Sequence, residues 1–122
     1  MSKPKVYLYK KCNTCVKAQK FLNEHQIEHI AVPIVETPPT RDELNKMLQI
    51  VKSGGQKINK LFNTSGRLYR EMGLSKKLPS MSEDEAIELL SEHGMLVKRP
   101  FALFGDKGFL GFKEEDWKEL VK

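Results

Sequence analysis

The chain has no apolar run near the ~20 residues a membrane-crossing helix needs. Its opening residues, Met1-Ser2-Lys3-Pro4, lack the apolar core of a signal peptide. Both absences point to a cytoplasmic protein that makes no membrane contact. There is no internal repeat, low-complexity tract or linker, and 122 residues fit one domain over 1–122. The 21 Lys and Arg exceed the 16 Asp and Glu, a net charge of +5, but they are spread along the chain. No basic block alternates with aromatics, which argues against direct nucleic-acid binding. The excess suits attraction to anionic thiols such as glutathione or to an acidic partner, and equally a plain soluble surface. Cysteine is scarce: there are only two. That excludes a disulfide framework and a four-thiol zinc site.

Those two cysteines are Cys12 and Cys15, in Lys10-Lys11-Cys12-Asn13-Thr14-Cys15. An apolar run, Val6-Tyr7-Leu8-Tyr9, precedes them and a helical pattern follows. Cys-x-x-Cys at a strand-to-helix turn beside a βαβ pattern points to a thioredoxin-like redox pair. A helix first turn supplies exposed N–H groups and the positive end of the dipole, which favour the thiolate of the first cysteine. Lys10 and Lys11 are expected to add positive potential. Cys15 can then resolve a mixed disulfide by intramolecular attack. The competing reading is half of a metal site. It fails for want of ligands, since His25 and His29 straddle an expected helix end and no second cysteine pair exists. No metal and no organic cofactor is implied.

The rest of the chain alternates in a recognisable order. A helix is expected from Thr14 to Gln26, with Val16, Ala18, Phe21 and Leu22 as its apolar stripe. Ile30-Ala31-Val32 forms a second strand, parallel to the first. Thr40-Arg41-Asp42-Glu43 spells a capping box and opens a helix that ends before Ser53-Gly54-Gly55. Short helical pieces follow over Gln56 to Phe62 and Arg67 to Met72, with breaks at Asn63-Thr64-Ser65-Gly66 and Pro79. Ser82-Glu83-Asp84-Glu85 is a second capping box, for a helix to His93 that Gly94 ends in a left-handed conformation. A strand after Pro100, a turn at Gly105-Asp106-Lys107-Gly108 and a strand over Phe109 to Phe112 make a hairpin. A last helix runs from Glu114 to Val121, with Trp117, Leu120 and Val121 inward. Phe21, Phe112 and Trp117 are core candidates, and Met47, Met72, Met81 and Met95 gap fillers. The order predicts an α/β domain in which β-α-β and β-β-α halves share a four-stranded mixed sheet. The helical block from Thr40 to His93 is an insertion over one side.

These residues resemble the arsenate reductase-like branch of the thioredoxin superfamily, which includes glutaredoxin-linked arsenate reductases and Spx-type regulators. The resemblance covers essentially the whole chain. It rests on Tyr7-Leu8-Tyr9 before Cys12-Asn13-Thr14-Cys15, the capped helix Thr40 to Val51, and Asn63-Thr64-Ser65-Gly66 with Tyr69-Arg70. It rests also on Arg99-Pro100 and on Gly111-Phe112 before the last helix. It implies a thioredoxin-like fold with a helical insertion, and a cis-proline at Pro100 facing the cysteines. It also implies that Arg99 sits beside Cys12, where a planar, permanently charged guanidinium binds an oxyanion or steadies a thiolate. By position alone, Arg99 is equally a surface ion-pair partner at a strand start. Asn13, Thr14 and Pro100 form the expected thiol- or substrate-binding surface.

Two further arginines of the arsenate reductases are missing: Asn63 stands at one position and about Gly111 at the other. One guanidinium offers far fewer charge-assisted hydrogen bonds to an oxyanion than three. The resemblance therefore implies a thiol–disulfide oxidoreductase using glutathione, glutaredoxin or thioredoxin as thiol donor, with arsenate reduction itself argued against. The alternative it implies is an Spx-type redox-sensing regulator that binds the RNA polymerase α subunit. Gly54-Gly55 falls near the glycine those regulators use at that contact, although glycine after a helix is also an ordinary cap.

Overall fold

The computed structural model describes residues 3–121. Met1, Ser2 and Lys122 lie outside the described residues, including the first two positions of the segment weighed above as a signal peptide. The chain runs β1 (Lys5–Leu8), α1 (Asn13–Glu24), β2 (Ile30–Pro33) and α2 (Arg41–Ser53). Then come α3 (Arg67–Glu71), α4 (Leu74–Lys77), α5 (Glu83–Glu92), β3 (Phe101–Phe104), β4 (Lys107–Leu110) and α6 (Glu114–Trp117). Short 3-10 turns at Ile58–Leu61, Leu78–Ser80, Gly94–Leu96 and Lys118–Val121 fill the gaps.

The four strands form one mixed sheet in the order β2-β1-β3-β4. β1 pairs with β2 in parallel and with β3 antiparallel, so β1 lies inside the sheet and both of its faces are covered. Strand alternation sends neighbouring residues to opposite faces. Val6 and its cross-strand partner Ala102 join Ala18, Phe21, Leu22, Phe109 and Trp117 on one side. Tyr7 and its partner Phe101 join the α2–α5 block through Leu44, Met47, Ile87 and Leu90 on the other. The helical insertion therefore covers one face, while α1 and the C-terminal turn cover the second.

Both capping boxes form. Thr40 Oγ1 accepts from the Glu43 N–H and Ser82 Oγ from the Glu85 N–H, with each glutamate reaching back. Other boundaries differ from the sequence reading. α1 stops at Glu24, and Gln26 takes a positive φ of 53° in a Schellman closure: its N–H meets Asn23 O and the Ile27 N–H meets Leu22 O. Val16 is not part of the buried stripe. It is 55% exposed, because α1 turns Cys15, Ala18, Phe21 and Leu22 inward instead. Gln56 to Phe62 contains only one 3-10 turn, and Pro79 sits inside another rather than in an open break. The last helix is α-helical only to Trp117, and Val121 is exposed.

The hairpin is tighter than expected. Phe104 pairs with Lys107, which leaves a two-residue loop with Gly105 at φ 61°. Gly111, at φ 77°, ends β4 before Phe112. Gly94 is not a left-handed cap either. It is buried in a 3-10 turn with the Ile34 backbone pressed against it, and a Cβ there would lie 1.8 Å from Ile34 O.

Candidate redox site

β1 ends at Leu8, and the next residues turn sharply: the Cys12 N–H donates to Tyr9 O at 3.0 Å, over Lys10 and Lys11. Cys12 keeps extended backbone (φ −100°, ψ 118°) and is the N-cap of α1, one position outside the helix. No side chain caps the helix, so its first N–H groups remain free to turn toward a ligand or a sulfur. Both thiols are free, Cys12 half-buried and Cys15 buried.

The acidities of the two thiols shift in opposite directions. Burial pushes the Cys12 thiol up, while the N–H and thiol of Cys15, the Arg99 guanidinium and the Thr14 N–H favour its thiolate. These donors prevail and hold Cys12 below its ordinary thiol value. Burial pushes Cys15 up to about 12. The Tyr9 N–H, 3.4 Å from Cys15 Sγ, and the Arg99 charge oppose that rise, while the neighbouring Cys12 adds to it. Lys10 and Lys11 are exposed and are not among the groups that shift Cys12. The positive charge at the sulfur is that of Arg99.

Arg99 stands two residues before β3. Its guanidinium carbon lies 4.8 Å from the centre of the Tyr9 ring. Its Nη1 donates to Met95 O at 3.3 Å and lies 3.8 Å from Met95 Sδ. Its Nε is buried with no hydrogen-bond partner. The Arg99–Pro100 peptide is cis and Pro100 is buried. Asn13 is exposed as the first helical residue, and Thr14 contributes its N–H to the sulfur.

The other positions of interest lie in scaffolding. The Asn63 N–H donates to Leu96 O at 2.7 Å, and Gly111 O accepts from Trp117 Nε1 at 3.3 Å. His25 packs against Phe21 with ring centres 4.3 Å apart and the planes tilted by 50°, while His29 bonds Gln19 and the Ile27 carbonyl. Among the described residues no group of three or more His, Cys, Asp or Glu is placed to hold a metal ion. No helix there is long and apolar enough to cross a membrane. A groove of about 770 Å³ between α1 and β2 includes Tyr9, Cys15 and the exposed Val16 in its wall, but neither Cys12 nor Arg99.

Sequence reasoning passed over Tyr9 and Met95 as site residues. Tyr9 carried a signal, being the aromatic residue at the end of the first strand three positions before Cys12. Met95 carried none, because its sulfur meets Arg99 only through the 3-10 turn at Gly94–Leu96.

A four-stranded mixed sheet covered on both faces, with Cys-x-x-Cys at the β1–α1 junction and a cis-proline opening the adjacent strand, defines a protein with a thioredoxin-like fold. The chain belongs to the ArsC family, whose model matches residues 7–120. It is 47% identical over 113 residues to the YusI protein of Bacillus subtilis (strain 168), covering 93% of each chain. A solved structure of an ArsC-family-related protein from Bacteroides fragilis superposes with a TM-score of 0.88 at 42% identity, covering 98% of both chains. The chain is also 28% identical over 116 residues to the global transcriptional regulator Spx 2 of Bacillus cereus, covering 95% of this chain and 85% of the regulator.

Proposed function

We propose that the protein is a cytoplasmic, single-domain thiol–disulfide oxidoreductase in which Cys12 attacks and Cys15 resolves. The Cys12 thiolate attacks one sulfur of a client disulfide, forms a mixed disulfide and expels the other client sulfur as a thiolate. Cys15 then gives its proton to a leaving thiolate and attacks Cys12 Sγ. That frees the reduced client and leaves a Cys12–Cys15 disulfide. A thiol donor, glutathione, glutaredoxin or thioredoxin, returns the pair to the dithiol with two electrons. The observation that carries this reading is the placement of two free thiols at the β1–α1 junction, Cys12 half-buried as the helix N-cap and Cys15 buried in the first turn. Cys15 stays protonated and stabilises the Cys12 thiolate, and it loses that charged neighbour once Cys12 is bound in a mixed disulfide. Arg99 holds the anionic group of the client or donor, with Asn13, Thr14 and Pro100 around it. Asn63 and Gly111, at the positions of two missing arginines, count against arsenate as substrate.

The test is a coupled thiol assay with each donor. Wild type should reduce a disulfide client, Cys12→Ser should not, and Cys15→Ser should accumulate the mixed disulfide. No turnover by wild type with any of the three donors or with arsenate would end the enzyme reading.

The likeness to Spx 2 along 95% of the chain favours a second reading, a redox-sensing regulator without turnover. The exposed Gly54-Gly55 end of α2, with Gly55 at φ 82°, would then be the contact for the RNA polymerase α subunit. Oxidant-dependent recovery of that subunit, lost in a Cys12→Ser protein, would decide for it.

A further inference from the structure

We propose that Tyr9 is a positioning residue: its ring face carries the Arg99 guanidinium at the Cys12 sulfur, while its backbone holds both cysteines. The proposal takes from the oxidoreductase reading only that Cys12 is the reacting thiol.

The placement follows from the sheet. β1 and β3 run antiparallel with Lys5 opposite Leu103, Val6 opposite Ala102 and Tyr7 opposite Phe101. Carried past the ends of both strands, that register sets Leu8 opposite Pro100 and Tyr9 opposite Arg99. A cross-strand pair of this kind brings an aromatic ring and a long side chain into contact on one face. The guanidinium accordingly lies 4.8 Å from the Tyr9 ring centre, in the range where the ring quadrupole attracts a cation. The same residue accepts the Cys12 N–H at 3.0 Å and donates its own N–H to Cys15 Sγ at 3.4 Å. One residue therefore touches the three groups that set the state of the thiol pair.

Arg99 needs such a support. Among the described residues its one backbone acceptor is Met95 O, at 3.3 Å, and its buried Nε is unpartnered. A long side chain with few tethers spends much of its time in other rotamers. The Tyr9 ring and the Met95 sulfur both lie against its guanidinium. None of these contacts uses the Tyr9 hydroxyl, so the ring is what matters.

The experiment measures the rate of Cys12 alkylation by iodoacetamide against pH in the reduced full-length chain. In Tyr9→Leu the midpoint should rise, with the reaction near neutral pH slowing about threefold. Tyr9→Phe, which keeps the ring, should return the midpoint to the wild-type position. In an Arg99→Met background, Tyr9→Leu should add no comparable change. An unmoved midpoint in Tyr9→Leu, or an equal rise with and without Arg99, would overturn the proposal. A second measurement needs no variant: the Arg99 Nε–H proton should show an upfield ring-current displacement in the wild-type NMR spectrum. An undisplaced proton would overturn the stacking even if Tyr9→Leu failed to fold. Alkylation is read without turnover, so absence of turnover counts against the oxidoreductase reading alone.

Discussion

Arg99 is one of the groups that lower the Cys12 thiol, and truncating its side chain leaves the backbone bonds of the β1–α1 turn in place. Arg99→Met should slow Cys12 alkylation near neutral pH by about tenfold, the low end for a charge-assisted bond at a half-exposed site. Its midpoint should rise in the same titration. Gly94 is a different kind of residue. A Cβ there would sit 1.8 Å from Ile34 O and 2.7 Å from its carbonyl carbon, and both are backbone atoms. Gly94→Ala should therefore cost about 3 kcal/mol of stability, read from the urea midpoint. The sequence suggests only a helix cap at this glycine. The contact that demands it comes from a segment far away in the chain, and no local pattern carries it. Cys12 and Cys15 stand out as candidates because their chemistry is written in residue type and spacing, whereas Arg99 enters as a candidate only through the family resemblance. Tyr9 does not stand out, because its part depends on a strand register.

Two helices end in the same closure with different residues. α2 ends with Gly55 at φ 82°, where the Gly55 N–H meets Lys52 O and the Gln56 N–H meets Val51 O. α1 ends with Gln26 at φ 53° in the corresponding position. A left-handed conformation costs a residue with a Cβ roughly 1–2 kcal/mol, partly offset by the greater freedom of glycine in the unfolded chain. Gln26→Gly should therefore stabilise the protein by about 0.5–1 kcal/mol, measured by thermal or urea unfolding. Helix starts were easier to read than helix ends. Thr40 and Ser82 announce themselves through a glutamate three residues on, whereas the sequence carries α1 on to Gln26, past its end at Glu24. The hairpin was misjudged for a related reason. Gly105 and Gly108 look like one four-residue turn, but only Gly105 turns the chain. Gly108 lies in β4 because Met47 packs against it, with the sulfur 2.6 Å from where a Cβ would stand.

The whole molecule places Cys12 just past the C-terminal end of the inner strand β1, where α1 begins. The order of elements and the mixed sheet were legible from hydrophobic patterning and turn residues. The pairing that brings Arg99 to Cys12 was legible only through the family resemblance. Two groups on the helices that flank the sheet should give folding a pH dependence, Glu43 on α2 and Cys15 on α1. Burial raises the Glu43 carboxyl, but bonds from Tyr7 Oη at 2.5 Å and the Thr40 N–H at 2.9 Å, with Lys5 nearby, hold it below the usual carboxylate value. A depressed carboxyl contributes stability that is present above its unfolded value and lost as pH falls through its folded one. Glu43→Gln should lower stability at neutral pH and flatten the acid limb of the stability curve. Cys15 has the opposite sign. With its thiol raised by burial to about 12, the unfolded chain ionises first, so stability of the reduced protein should fall as pH climbs above the ordinary thiol value. The most direct test of the two-thiol centre follows each cysteine separately. Both are alkylated against pH in the reduced protein and read by mass spectrometry. Cys12 should react with a midpoint below that of an ordinary thiol, while Cys15 stays unmodified until far higher pH. Two cysteines reacting together at the ordinary thiol value would contradict the assignment of Cys12 as the activated sulfur.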